Sequence, residues 1–389
     1  MSTRQQSLWS LFLIYLRLGC ISFGGPVAHL GFFKDVFVTR LKWLNEADYA
    51  ELMALCQSVP GPSSSQLGFA IGWYRGGFYG ALLAWLGFTL PSACLMVGAA
   101  YGLVAIGEAG SSVTHGLLIA AVGVVAKAVV NLGHKLCPDW PRRLIALACA
   151  LTVLILPGAL TQFGLILLGG VVGNALYRSH ATTANPHQSP IQVRQAIVIP
   201  ALVVFSILML AALAITAEMP GALYAMHYQA GALVFGGGHV VLPLLNDTIV
   251  VGGLISENDF LAGYSAAQAL PGPLFTLSAF IGTIASNHWL GGIGALLAIF
   301  LPGMLLIAAL LPTWSRFRTQ QWARAGMIGA NAVVVGLLLA ALIDPVWSHG
   351  IQSWADLALA CAAFIALYRF NLPAWAVVIV CGTCGWLLY

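Results

Sequence analysis

The run Pro60-Gly61-Pro62-Ser63-Ser64-Ser65-Gln66 puts a backbone break beside three hydroxyls in an otherwise apolar stretch. Proline suits the first turn of a helix, where its missing N–H would be unbonded in any case. A helix restarting at Pro62 therefore presents free N–H groups and the positive end of its dipole, a seat for an anion. Ser63, Ser64 and Ser65 would add hydroxyl donors suited to a tetrahedral oxyanion. The structural alternative is that the serines only cap a buried half-helix, and Ser63 to Gln66 fits the S-x-x-Q capping box. The break recurs at Pro271-Gly272-Pro273, where Leu274 and Phe275 replace two serines and Thr276 supplies one hydroxyl. That asymmetry marks the first break as the main anion-binding half.

Glycine runs make a second pair of breaks, at Gly24-Gly25-Pro26 and Gly236-Gly237-Gly238. Such residues admit positive φ and close backbone approach. His29 and His239 lie beside them, as core residues or as groups that titrate near neutral pH and carry protons. Arg17 lies inside the first apolar segment, either attracting a divalent oxyanion bidentately or snorkelling to the surface. Arg75 and Lys127 fit snorkelling better. Acidic residues are scarce in the apolar segments, and the Cys and His spacings hold no metal-ligand pattern. No Walker loop or Ser-His-Asp order appears, so the chain is not expected to be an enzyme. Neither a cofactor nor a metal nor a nucleic-acid partner is expected.

The elements that position these residues are membrane helices. Of 389 residues, 60% are hydrophobic and 7% charged, against about 25% charged in a soluble domain. Apolar runs occupy 78–106, 112–130, 143–177, 195–217, 290–313, 325–343 and 355–389, and a span needs roughly 20 such residues. The fold class is all-α and polytopic, with the lipid bilayer as its main partner. The basic-then-apolar N-terminus reads as a retained membrane segment rather than a cleaved signal. The eight cysteines sit mostly in apolar runs, and Cys381-Gly-Thr-Cys384 lies far from any βαβ context.

The chain is also duplicated. Pro60 and Pro271, Gln57 and Gln268, Phe69 and Phe280, and Pro91 and Pro302 each stand 211 residues apart, and "SFGGPVAHL" matches "VFGGGHVVL" at 212. We divide the chain into a repeat at 1–177, a linker and connecting helix at 178–217, and a second repeat at 218–389. Loop charge orients them. Lys34, Arg40 and Lys42 face Asp247, Glu257 and Asp259 in the partner repeat, and Lys135, Arg142 and Arg143 face Asp344, His349 and Asp356. Glu108 faces Arg316, Arg318 and Arg324. Basic loops favour the cytoplasm, so opposite bias predicts inverted repeats, a transporter design with the site between the halves. Segments 10–38 and 46–73 are each predicted to be a re-entrant hairpin with limbs of about 11 to 13 residues, too short to span. The alternative is thin full spans or one kinked span. The N-terminus then falls inside and the C-terminus outside.

The set "SFGGPVAHLGFF", "QSVPGPSSSQLGFAIG" and "LGFTLPSA", with "VFGGGHVVLPLL" and "LPGPLFTLSAFIG" in the second half, resembles the signature of chromate ion transporters in their long, two-domain form. The resemblance covers most of the chain. It implies a proton-motive-force-linked exporter of the bacterial inner membrane, giving chromate resistance, with sulfate as analogue and competitor. Carried over by position, its signature residues are Gly24, Gly25, Pro26, His29, Pro60, Gly61, Pro62, Ser63, Ser64, Ser65 and Gln66, then Gly236, Gly237, Gly238, His239, Pro271, Gly272 and Pro273. Arg17 and Thr276 join the site from the residue reading. Rival readings are a sulfate or other oxyanion importer on the same fold, and a non-transporting membrane scaffold. A homodimer is left open.

Overall fold

Two helices of 14 and 10 residues, α1 (Leu8–Ile21) and α2 (Gly25–Lys34), flank the first glycine break. Neither is long enough to cross a bilayer at 1.5 Å per residue. The computed structural model of the chain describes residues 7–23, 25–106, 108–157, 159–178, 195–234, 241–312 and 320–388. Helix α3 (Glu46–Ser58) leads to the first Pro-Gly-Pro turn and α4 (Ser63–Ile106) leaves it. α4 is not one rod. Gly76 and Gly77 leave helical geometry, Gly77 with φ +62°, and the helix folds back on itself there, so that Gly72 lies against Gly80.

Contacts along α1 fix the direction of every limb. Leu8 lies by Gly76, while the Tyr15 hydroxyl donates to Gly68 O at 3.0 Å and Gly19 lies against Phe88. The first limb of α4 therefore runs antiparallel to α1 and the second limb runs parallel to it. α2 returns beside them, placing Phe33 against Tyr15 and Trp43 under the Arg75 guanidinium at 4.8 Å. Both helix pairs thus enter and leave at one face of the molecule, here the near face, with their tips inside. The re-entrant alternative predicted from the breaks is the observed one.

The second half repeats this upside down. Helices α5 (Glu108–Leu136), α6 (Trp140–Ile155), α7 (Ala159–Tyr177) and α8 (Val198–Ala214) lead to it. Helices α9 (Ala222–Leu233) and α10 (Val241–Leu245) flank the second glycine break, and α11 (Glu257–Ala269) and α12 (Leu277–Ser286) flank the second Pro-Gly-Pro turn. Equivalent helices start on equivalent caps: the Asn45 side chain accepts from Asp48 N–H, and the Ser256 side chain from Asp259 N–H. Helix α13 (Trp289–Leu310) follows. Trp289 is the counterpart of Phe78, which starts the second limb of α4 at the near face. Yet Trp289 N–H donates to the Tyr101 hydroxyl at 3.0 Å, about 35 Å farther along that limb. The halves are inverted.

The last helices, α14 (Gln321–Ala341), α15 (Trp354–Tyr368) and α16 (Ala374–Leu388), interlock them. α5 of the first half packs on α15 and α16 of the second, and α14 packs on α6 and α7 of the first. Glycines allow the closest crossings: Gly116 against Cys381 and Gly385, and, at the equivalent place, Gly329 against Gly169 and Gly173. Two expected single runs divide. Residues 143–177 form α6 and α7, with Pro157 just past the end of α6, and residues 355–388 form α15 and α16, with Pro373 directly before the start of α16. Four helices among the described residues are long and apolar enough to cross a membrane. The outer surface carries Leu86, Leu90, Leu144, Leu151 and Leu297, while Ser22, Ser63, Ser64, Ser65, Thr89, Ser92, Thr276 and Ser278 are buried. That polarity suits a lipid solvent.

Candidate functional site

The two Pro-Gly-Pro turns meet the opposite half, and each half is bonded to the other there. Gly61 N–H, in the first Pro-Gly-Pro turn, donates to Val234 O at 2.7 Å. Val234 stands two residues before the second glycine break. Reciprocally, Gly272 N–H donates to Ser22 O at 2.9 Å, and Ser22 precedes the first break. Both turn glycines hold positive φ, +125° at Gly61 and +99° at Gly272, which an L side chain rarely adopts. A second reciprocal contact locks the crossing. Gly61 lies against Gly303 and Gly272 against Ser92, and those two residues follow the paired prolines Pro302 and Pro91.

Depth follows from α4. Phe88 packs edge-on to the His29 ring at 5.2 Å between centroids, and it stands ten residues, about 15 Å, into a limb of about 43 Å. The tips therefore sit inside the bilayer thickness, where each unsatisfied backbone group costs several kcal/mol unless protein or water covers it.

Polar side chains line this crossing from the first half. Ser63, Ser64, Ser65 and Gln66 are all buried. Gln66 is the first residue of the helix whose N–H finds an intrahelical carbonyl, Pro62 O at 2.9 Å, so the amides of the three serines precede the helical ladder. The expected capping box is absent. α4 begins at Ser63 itself, and the Gln66 carboxamide instead donates to Pro60 O at 2.7 Å and across the halves to Gly303 O at 3.2 Å. His29 is fully buried. Its Nε2–H donates to Ser22 O at 3.0 Å, and Nδ1 lies 3.3 Å from Ser64 Oγ. A carbonyl only accepts, so Nε2 carries the proton and neutral Nδ1 accepts from the Ser64 hydroxyl. The Ser22 carbonyl thus receives both His29 and the opposite Pro-Gly-Pro turn.

The second half adds less polarity. Thr276 donates to Pro273 O at 2.8 Å, so its oxygen accepts from Ser92 Oγ at 2.6 Å. The hydroxyls of Ser22, Ser65, Thr89 and Ser278 and Gln66 Oε1 are buried with no hydrogen-bond partner among the described residues. Buried polar atoms normally have a partner, so this group has capacity for a ligand or water. Ser22, Thr89, Ser92 and Ser278 escaped the sequence reading. Ser92 alone left a signal, standing directly after the paired Pro91.

The structure brings together Pro60, Gly61, Pro62, Ser63, Ser64, Ser65, Gln66, His29, Pro271, Gly272, Pro273 and Thr276. Gly25 and Pro26 begin α2 just past the tip. Arg17 is not brought to the serines; it is exposed, on the side of α1 away from the face that buries Leu11, Tyr15 and Leu18. Gly24, Gly236, Gly237, Gly238 and His239 lie outside the described residues. Among the described residues no group of three His, Cys, Asp or Glu side chains is placed to hold a metal.

Inverted hairpins whose Pro-Gly-Pro turns cross within the bilayer thickness, lined by hydroxyls and free amides, define an inverted-repeat membrane transporter. The chain belongs to the chromate transporter family, whose model matches residues 9–174 and again 221–386. It is 26% identical over 396 residues to a chromate transport protein of Pseudomonas aeruginosa, covering 97% of this chain and 92% of that protein. It is 27% identical over 350 residues to a chromate transport protein of Cupriavidus metallidurans, covering 87% and 82%. An uncharacterized transporter of Methanocaldococcus jannaschii is 23% identical over 342 residues, covering 87% and 84%. No solved structure matches the chain.

Proposed function

We propose that the protein exports chromate from the cytoplasm across the bacterial inner membrane, and so confers chromate resistance. The observation that carries this reading is the crossing of the hairpin tips, with three serine amides ahead of the helical ladder and unpartnered hydroxyls beside them. Such donors suit a tetrahedral dianion, held without a formal charge by dipoles and hydrogen bonds. The bound anion sits between Ser63–Ser65 and Ser22 from the first half and Thr276 and Ser278 from the second. Arg17, at the outer face of α1, acts on it only at long range.

A dianion leaving a cell that is negative inside gains about 2.3 kcal/mol per charge per 100 mV, about 4.6 kcal/mol in all. The potential alone can drive export, with a proton step as an addition. The near face, which carries Lys34, Arg40, Lys42, Arg142 and Arg143, is the cytoplasmic one by loop charge. The N-terminus then lies in the cytoplasm and the C-terminus in the periplasm.

Amide and hydroxyl donors recognise oxygen geometry rather than the central atom, so sulfate competes at this site. Currents from oriented proteoliposomes given chromate, sulfate or both test the assignment. Outward negative current with chromate, reduced by sulfate, is expected. Current with sulfate alone would transfer the cargo to sulfate, and sulfate import would reverse the direction.

A further inference from the structure

Two apolar slots adjoin on the second limb of α4. One, of about 660 Å³, is bounded by that limb with α5, α11 and α16, and the other, of about 480 Å³, by the same limb with α12 and α13. Both volumes lie in the range of ligand pockets, about 300–1,000 Å³. Cys94 belongs to both linings and is exposed, so the slots meet across a single residue on the outer surface. Neither lining holds a charged side chain. Thr383, the one hydroxyl in the larger lining, donates to Ile379 O at 2.8 Å. Thr89, the one hydroxyl in the smaller, is buried. Such walls favour hydrocarbon over water.

Their depth fits one leaflet. Trp289 lines the smaller slot, and its N–H donates to the Tyr101 hydroxyl toward the far face. Leu90, at the other end of that slot, stands 101 − 90 = 11 residues earlier on the limb, about 16 Å. Half of a hydrocarbon core is about 15 Å. Trp386 lines the larger slot and follows Gly385, which lies against Ser112 in the opening turns of α5, again toward the far face. Both tryptophans are exposed, and tryptophan collects where headgroups meet hydrocarbon. Each slot thus has an aromatic rim at headgroup level and an apolar floor one leaflet down.

The floors reach the crossing. Leu270 in the larger slot directly precedes Pro271, and Ala279 in the smaller directly follows Ser278. An occupant therefore covers the outer side of the second Pro-Gly-Pro hairpin, and backbone at this depth has to be covered. The space is open: Gly98 is exposed, and a Cβ there meets nothing within 4 Å. Its counterpart 211 residues on, Ala309, is fully buried, so the repeat is filled at one of these positions and open at the other. Spread over about 16 Å, the smaller slot averages about 30 Å² in cross-section. A helix about 10 Å across needs about 80 Å², so a partner helix does not fit and an extended hydrocarbon chain does.

We infer that one diacyl phospholipid of the far-face leaflet is a resident ligand, astride Cys94 with a chain in each slot and its headgroup level with Trp289 and Trp386. Two adjoining slots match two chains joined at one headgroup. The lipid wedges the second limb of α4 against the opposite half and seals the second hairpin from the side. This assignment does not rest on the identity of the cargo.

Native mass spectrometry of the full-length protein released from a mild detergent tests it. The wild type is expected to carry the mass of one phospholipid. Gly98→Leu fills the larger slot and Cys94→Trp narrows both, so each should lose that mass. Gly164→Leu on α7, which meets nothing within 4 Å and lines neither slot, should keep it. Adding dioleoylphosphatidylethanolamine to delipidated wild type should raise its thermal midpoint by mass action. Its single-chain lyso form should raise it less, and Gly98→Leu should respond less to either. Midpoints of the variants in lipid-free detergent, expected at the wild-type value, report that they are folded. A wild type without bound lipid, or slot variants that retain it as the wild type does, overturns the assignment. A dimer mass without lipid overturns it too, and gives the groove to a second copy of the chain. Because no anion is present, failure of chromate transport and failure of the lipid site are separate results.

Discussion

Replacing Gly61 by alanine tests the crossing where backbone geometry leaves no room to adapt. Gly61 sits at φ +125°, so a side chain there carries strain of about 1–3 kcal/mol. Its Cβ would also stand 2.9 Å from Gly303 Cα, which is backbone of the other half, and 2.5 Å from Gln66 Nε2. Moving the Gln66 carboxamide away breaks its bonds to Pro60 O and Gly303 O, and leaving those buried groups unsatisfied costs about 1–3 kcal/mol. The sum is about 2–6 kcal/mol. Gly77→Ala separates the two contributions, because Gly77 also has positive φ, +62°, but a Cβ there meets nothing within 4 Å. Thermal midpoints in detergent and anion flux in proteoliposomes should both fall further in Gly61→Ala than in Gly77→Ala. Equal midpoints and equal flux in the two variants would refute the reasoning, since only the contact with the opposite half distinguishes them.

Ser64→Ala leaves His29 Nδ1 without its donor in a fully buried setting, about 1–3 kcal/mol, and flux should fall roughly five- to hundred-fold; Arg17→Ala, at an exposed position, should lower flux less, as parallel flux assays would read. Gly329→Leu drives a side chain into the Gly169 and Gly173 backbone and should lower the thermal midpoint, whereas Gly164→Leu, with nothing within 4 Å, should not. Asp139, in the loop between α5 and α6, is held down to about 2 chiefly by its hydrogen bond from Arg142. Because that value lies below the unfolded carboxyl, about 3.9, its stabilisation is complete above about pH 5 and drains away as the pH falls toward about 2. A pH series of thermal midpoints should show Asp139→Asn losing that acid-side dependence.

Much of the fold was legible because its signals are covalent. Proline and glycine break helices wherever they stand, so Pro60-Gly61-Pro62 and its echo announced paired hairpins without any tertiary knowledge. Opposed loop charge announced the inversion, since charge is costly in lipid. What stayed hidden depends on neighbours more than 150 residues away. Nothing in Ser92 says that its hydroxyl will meet Thr276, and nothing in Ser22 says that its carbonyl will hold Gly272. Gln66 shows the limit from the other side. Its spacing from Ser63 fits a local cap, yet a carbonyl of the opposite half and its own turn claim the amide. Asp344, His349 and Asp356 entered the sequence reading only as charges that orient a loop, and folding made His349 a partner of α11 and Asp356 a partner of α5.

Uptake of labelled chromate into inside-out vesicles under an interior-positive potential tests the central claim most directly. The account predicts potential-dependent accumulation that excess sulfate reduces and that replacing Ser63, Ser64 and Ser65 together by alanine abolishes. Accumulation unchanged in the triple variant would contradict the placement of the anion at the first Pro-Gly-Pro turn, and the absence of any anion flux would contradict transport itself.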